Sequence, residues 1–297
     1  MNTNDTLSAS PDDDPSGGLV LVTNGTGRTG RRVVDRLRGE GVPVRVGSRS
    51  GQPPFDWHSA ATWPGALEGV SRVYLAYAPD LGAPEAPDVV RGFTEAAVSA
   101  GVRQVVMLSM RGRNAERPTE VSARATERAV RESGLTCTVL RAAWFFQNFS
   151  ELDALREPLR GGGLALPTGD GPEAFVDVED VADVASAVLR APADHAGHTY
   201  ELSGGRLLSF WDAVAEIGVA TGREMGEQRQ TMAEFGASLA ELGLPSAEVE
   251  LVCELLDRVR DGEMAYVSDG VREVLGRPPR DFSEFARRES AGGTWDR

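Results

Sequence analysis

A short apolar run, Gly18–Val22, feeds the turn Thr23–Gly30, and the turn opens an amphipathic stretch, Thr29–Arg38. This strand, glycine-rich turn and helix, LVLVTNGTGRTGRRVV, constrains the fold more than any other part of the chain. It sets several backbone N–H groups and the positive end of a helix against one anion. Glycine suits such a turn because a Cβ would block the backbone from a pyrophosphate. Val33, Val34 and Leu37 give the helix its apolar face, and Gly39 and Gly41 end it. A Gly-rich turn alone is a weak sign, and its surroundings decide what it means.

Those surroundings are an alternation of short apolar runs and helical stretches. Val42–Gly47, Ser71–Ala76, Gln104–Leu108 and Cys137–Leu140 read as strands, the last counted as the sixth strand-like run. Between them lie a short helix near Ala60–Leu67 and longer ones over Asp88–Ala100 and Thr119–Ser133. Strands as apolar as YLAY and VVML are buried on both faces. The pattern predicts an α/β fold with a Rossmann-type, doubly wound parallel sheet. Beyond about residue 145 helical signals dominate: Val178–Leu189, Phe210–Thr221, and Met232–Val259 interrupted by Gly243 and Pro245. The expected organisation is a disordered tail over 1–17, a dinucleotide-binding core over 18–150, and a smaller, mostly helical substrate-binding part over 151–297. The last two would form a single domain.

Charge narrows the partners. With 31 basic and 45 acidic residues the formal charge is −14. This leaves no basic face for nucleic acid and none for an anionic membrane surface. No apolar stretch approaches the about 20 residues that span a bilayer, and no signal peptide is visible, so a cytoplasmic protein is expected. Cys137 and Cys253 stand far apart, and His58, His195 and His198 form no metal-binding pair, so no metal site is expected. Cys137 reads as a buried small hydrophobe.

The end of the second strand selects the cofactor. NAD sites usually place Asp or Glu there to hold the ribose 2′-hydroxyl. This chain has Ser48 and Arg49 instead. Arg49 can pair with a 2′-phosphate, with Arg28 helping from inside the turn, so NADPH is the expected cofactor.

The run VTNGTGRTGRRV resembles the fingerprint of the NmrA-like atypical short-chain dehydrogenase/reductases. FDWHSAATWPGALEGVSRVYLAY, ESGLTCTVLRAAWFFQNF, FVDVEDVADVASAVL and GRPPRDFSEFA agree, so the resemblance spans about residues 18–287. One departure is Asn24, where the family has its first glycine; Asn tolerates a left-handed backbone. The resemblance implies that Asn24, Gly25, Thr26, Gly27, Arg28, Thr29 and Gly30 hold the pyrophosphate. It places Ser48, Arg49, Asp56 and Trp57 beside the adenosine, and Ala76, Tyr77, Ser109 and Ala143 near the ribose and nicotinamide.

Most reductases of that superfamily use Ser with a Tyr-x-x-x-Lys pair. Counting back from Glu127, the tyrosine position is Thr119 and the lysine position Ala123, and neither can do the usual work. Only Ser109 matches a triad member. Hydride delivery to a carbonyl makes an alkoxide that needs a proton. Its candidate sources are Ser109, Tyr77, His58, solvent, or a phenol on the substrate. Trp144, Phe145, Phe146 and Phe149, with Asn148 as a polar anchor, follow the strand at Cys137–Leu140, where open α/β sheets bind substrates. They suit a large aromatic ketone such as a polyketide or angucyclinone-like intermediate of antibiotic biosynthesis. Met232–Val259 could lie over it as a lid. An NADPH quinone or imine reductase is a second reading, and a non-catalytic NADP(H)-sensing regulator is a third. A monomer and a homodimer both remain open.

Overall fold

A computed structural model describes residues 18–78 and 80–296; the expected tail over 1–17 lies outside them. The glycine-rich segment forms as expected. β1 (Leu19–Val22) runs through a turn into α1 (Arg28–Gly39), whose Val33, Val34 and Leu37 are buried. Then follow β2 (Val44–Val46), α2 (Trp63–Leu67), β3 (Val70–Leu75) and α3 (Ala86–Ser99). β4 (Gln104–Met110), α4 (Pro118–Glu132) and β5 (Thr136–Ala142) complete the regular alternation. The run at Cys137–Leu140 is thus the fifth strand, not the sixth. The segment beyond β2, with Pro53 and Pro54, forms no strand, in keeping with the backbone donors those prolines lack.

The later chain adds α5 (Asn148–Glu151), α6 (Asp153–Gly161), β6 (Gly163–Leu166), α7 (Val178–Arg190), β7 (Thr199–Leu202) and α8 (Phe210–Thr221). It ends with β8 (Gly226–Arg229), α9 (Met232–Glu241), α10 (Ser246–Arg260), α11 (Gly270–Leu275) and α12 (Phe282–Ala291). Six parallel strands lie in the order β2-β1-β3-β4-β5-β7, and β6 and β8 make a separate parallel pair. The segment after residue 150 therefore supplies β7 to the main sheet and α7 to its cover.

Alternation along the buried strands separates two cores. Val20, Val22, Tyr74, Ala76, Leu140 and Ala142 face α1 and α7. Leu21, Val73, Leu75, Met107 and Val139 face the α2–α3 side. A third core joins the end of β5 to α8 and α12 through Phe146, Phe149, Phe175, Phe210, Phe282 and Phe285. Helix ends follow the sequence: Asp177 caps α7 through the Glu179 N–H, and Ser209 and Asp212 form a capping box on α8. Chain order reverses direction at β1, with β2 on one side and β3 on the other. That switch point opens a crevice at the carboxyl ends of the strands, where such sheets bind ligands.

Candidate cofactor and substrate site

The turn after β1 is a cradle with no room for side chains. Asn24 takes the left-handed conformation at φ +49°, the strain that Asn bears better than most residues. A Cβ on Gly25 would lie 2.8 Å from Val22 O, and one on Gly30 only 2.2 Å from Asn24 O. Gly25 N–H donates to Gly47 O (2.9 Å) and Gly47 N–H to Val22 O (2.8 Å), so the turn is laced to the end of β2. Thr23 ties it to β3: its hydroxyl accepts from Ala76 N–H (2.9 Å) and lies within donating distance of Tyr74 O and Ala76 O. The turn therefore presents backbone at the N-terminus of a twelve-residue helix. An anionic pyrophosphate suits that place.

At the end of β2, Ser48 is half-buried and Arg49 is exposed. Arg28 departs from expectation. Its guanidinium turns toward β5, where it donates to Asn148 Oδ1 and lies 5.8 Å from the centre of the Phe145 ring. Burial lowers its pKa, partly countered by Glu151. It does not join Arg49 on the adenosine side, and Arg49 is left as the cation at the end of β2. Trp57 is 5% exposed. Its indole donates to Ala76 O (3.2 Å) and it packs edge-on against Phe55, Tyr77 and Phe93. It thus props the end of β3 and offers no open ring face. Asp56 is half-buried, and its carboxylate accepts from His58 N–H; His58 is exposed.

The two proton-donor candidates differ. Ser109 donates to Glu127 Oε1 (2.6 Å) inside a clamp in which the same carboxylate holds Arg124 and Arg141. Its proton is committed to α4, which corrects the expectation of a free donor there. Tyr77 is buried and its hydroxyl has no hydrogen-bond partner. Burial and then Glu85 push its pKa up, so the phenol keeps its proton through neutral pH. Thr119 and Ala123 are buried, and Thr119 Oγ1 donates to Glu254 of α10 (2.8 Å) and accepts from Arg258 (3.2 Å).

The aromatic cluster divides. Phe146 and Phe149 are 2% and 0% exposed, each packed on other rings of the third core. They support the site and do not line it, because interior packing has claimed their faces. Trp144 and Phe145 stay half-buried, Trp144 edge-on to Phe210 at 5.6 Å. Asn148 is no open anchor, since its oxygen serves Arg28. Ala76 and Ala143, just past the ends of β3 and β5, are buried small residues.

Two charged residues escaped the sequence reading, Arg111 and Glu173, which meet fully buried beside the end of β4. Their sequence signal is faint: each simply stands next to an apolar run, VVMLSM or FVDV. Two surface hollows adjoin α8, both lined by Arg223 and Glu224, and none of the expected site residues lines either. Among the described residues no group of three or more metal-binding side chains occurs, and no helix is long and apolar enough to cross a membrane.

Residues 25–192 match the family described as NAD(P)H-binding. The chain is 31% identical to the uncharacterized oxidoreductase YesF of Bacillus subtilis over 92% of this chain and 95% of that one. It is 32% identical to agroclavine dehydrogenase of Claviceps fusiformis, covering 90% and 95% of the two chains. Its fold superposes on the NADPH-bound quinone oxidoreductase QOR2 of Escherichia coli with a TM-score of 0.75 and 23% identity, covering 91% and 99%. With the glycine cradle and the switch-point crevice, these matches make the chain a member of the NAD(P)H-binding family of Rossmann-type oxidoreductases.

Proposed function

We propose that the protein is an NADPH-dependent ketoreductase acting on a large, flat aromatic ketone, of polyketide or angucyclinone type, in cytoplasmic antibiotic biosynthesis. The observation that carries this reading is the pairing of half-buried Trp144 and Phe145 with the cofactor turn, bridged by Arg28 over the Phe145 ring. A narrower likeness, to the angucyclinone ketoreductase of simocyclinone biosynthesis, rests on the missing Tyr/Lys pair. The preference for NADPH rests on half-buried Ser48 and exposed Arg49 at the end of β2, where an NAD site would carry a carboxylate.

The residues divide the work as follows. Asn24 to Gly30 hold the pyrophosphate with backbone donors, and Thr23 fixes the ends of β1 and β3 beneath them. Bound NADPH supplies the hydride. Trp144 and Phe145 give the substrate ring an apolar wall, so positioning provides much of the rate. The free O–H of Tyr77 is the protein's own proton source near the end of β3. A phenol ortho or peri to the substrate carbonyl is the other, through its internal hydrogen bond.

The test is to mix the protein with NADPH and a panel of polycyclic aromatic ketones and quinones, following the absorbance of the reduced nicotinamide. Turnover of ketones is expected. Turnover confined to quinones would replace this reading with a quinone reductase, and silence across the panel would sink it.

A further inference from the structure

Arg111 follows β4 directly, and its N–H still donates to Ala142 O of β5 (3.1 Å), so it stands at the carboxyl edge of the sheet. Glu173 belongs to a segment that runs beside the aromatic cluster, where Val176 N–H donates to Trp144 O and Phe146 N–H to Val176 O. The two side chains meet at 3.6 Å, both with no exposed surface. That is ion-pair distance without a hydrogen bond. Nε and Nη1 of Arg111 lack partners, and the Glu173 oxygens have none beyond the adjacent Ala174 N–H. Leaving such groups unsatisfied in the interior is expensive. Arg111 keeps one hydrogen bond, from Nη2 to Tyr266 O, and neighbouring Arg258 reaches Thr119 Oγ1 (3.2 Å), Arg111 O (3.1 Å) and Glu120 Oε2 (3.3 Å) while its Nε is unpartnered 3.7 Å from Glu263. The last turn of α10 seals the place: a Cβ on Gly171 would lie 2.0 Å from Val259 O, and one on Gly112 2.5 Å from Arg258 Nη2.

We propose that Arg111 and Glu173 form a buried subsite for an acidic oxygen group of the substrate, a carboxylate or phenolate. The group takes the free Nε and Nη1 edge of Arg111 while Glu173 becomes neutral and hydrogen-bonds beside it. A guanidinium edge is the standard partner of such oxygens. Glu173 can yield, because burial, opposed by Arg111 and Arg258, pushes its carboxyl up to about 7. Around the pair stand Arg258 of α10 with its partners Glu120 on α4 and Glu263 after α10, and Tyr266, whose ring lies 3.8 Å from the Arg111 guanidinium and 3.4 Å from that of Arg113. Entry requires the α9–α10 hairpin to move; α9 has no buried residue, while Leu256, Arg258 and Val259 of α10 are the buried anchors that must give way. The proposal rests on the ketoreductase reading for the aromatic body of the ligand.

The test is calorimetric titration of the full chain, with and without NADP⁺, using 2-naphthoate and its neutral isostere 2-naphthamide. The wild type is expected to bind naphthoate at least tenfold tighter. Arg111→Gln should erase that preference. Glu173→Gln should tighten naphthoate binding severalfold and abolish the proton uptake measured near neutral pH in two buffers of different ionisation enthalpy. A purely structural ion pair would show neither effect. Equal binding of the two probes by the wild type overturns the proposal, as does a preference that survives Arg111→Gln or proton uptake that survives Glu173→Gln. If Arg111→Gln does not fold, the wild-type comparison and Glu173→Gln decide. Lack of turnover with every carbonyl would leave this binding result standing, and loss of the anion preference would leave the ketoreductase reading standing.

Discussion

Gly30→Ala and Gly39→Ala place one substitution at two positions of the same helix and should have opposite effects. At Gly39 a new Cβ meets nothing within 4 Å. Alanine there should stabilise the chain by about 0.5 kcal/mol, because glycine costs roughly 0.5–1 kcal/mol in a helix. At Gly30 the Cβ would lie 2.2 Å from Asn24 O and 2.8 Å from Gly25 Cα, both backbone atoms. Ordinary carbon–oxygen contact needs about 1 Å more, so the first turn of α1 and the loop must part by roughly that distance, at about 1–3 kcal/mol. The melting temperature should fall by about 2–4 °C for each kcal/mol in a chain of this size. The same shift withdraws the N–H groups from the pyrophosphate, and a 1 Å misplacement costs up to about a hundredfold. Thermal melting and fluorescence titration with NADPH measure both quantities. If Gly30→Ala matched Gly39→Ala in stability and bound NADPH within twofold of the wild type, the glycine cradle would not be the cofactor site.

Three further outcomes follow from named contacts. Arg49→Ala should lower the ratio of NADPH to NADH efficiency by at least about tenfold, roughly 1.4 kcal/mol; an unchanged ratio would remove the basis for NADPH. Phe149→Ala should destabilise by about 3–5 kcal/mol with little change in the KM of the surviving folded enzyme, whereas Trp144→Ala should raise substrate KM at nearly native stability. The reverse ranking would return Phe149 to the substrate wall. Stability should also decline in two pH windows. Glu173, raised from 4.5 to about 7, keeps in the folded state a proton that the unfolded chain releases, so stability falls as pH rises across that interval. Asp281, held low by Arg206, contributes stability that is lost on acidification. Melting curves from acid to neutral pH should therefore peak at about pH 4, and Glu173→Gln should flatten the upper limb.

What was legible in the sequence was whatever depends on local periodicity. The strand–turn–helix unit, the parallel alternation and the break of Met232–Val259 at Gly243–Pro245 all follow from neighbours along the chain. Asn24 was readable too, because the left-handed conformation is a property of single residues. Side-chain direction was not. Nothing in GTGRTG tells Arg28 to turn toward Asn148, 120 positions away. Nothing in WFFQNF tells which rings will meet Phe175, Phe210 and Phe282 from later segments. Ser109 could be located at the end of its strand, but the clamp that takes its proton needs Glu127 and Arg141 from two other elements. Arg111 and Glu173 lay beyond reach for the same reason, since their meeting is purely tertiary.

The missing Tyr/Lys pair gains a physical explanation from α10. At the positions the resemblance assigns to the pair stand Thr119 and Ala123, and both are buried. The space is filled from above: Glu254 and Arg258 of α10 hydrogen-bond Thr119, while Arg117 binds Asp257, Asp261 and Glu263. A tyrosine at position 119 would meet Glu254 and Arg258 of that helix. Arg258 of α10 also donates to Arg111 O beside the buried Arg111–Glu173 pair. Under the ketoreductase proposal the proton comes from Tyr77, whose buried hydroxyl is unpartnered, or from a phenol on the substrate. Tyr77→Phe separates the two remaining sources. It should lower kcat on ketones without a neighbouring phenol by about 10²-fold or more and spare those that carry one. Equal kcat on both classes would leave solvent as the donor.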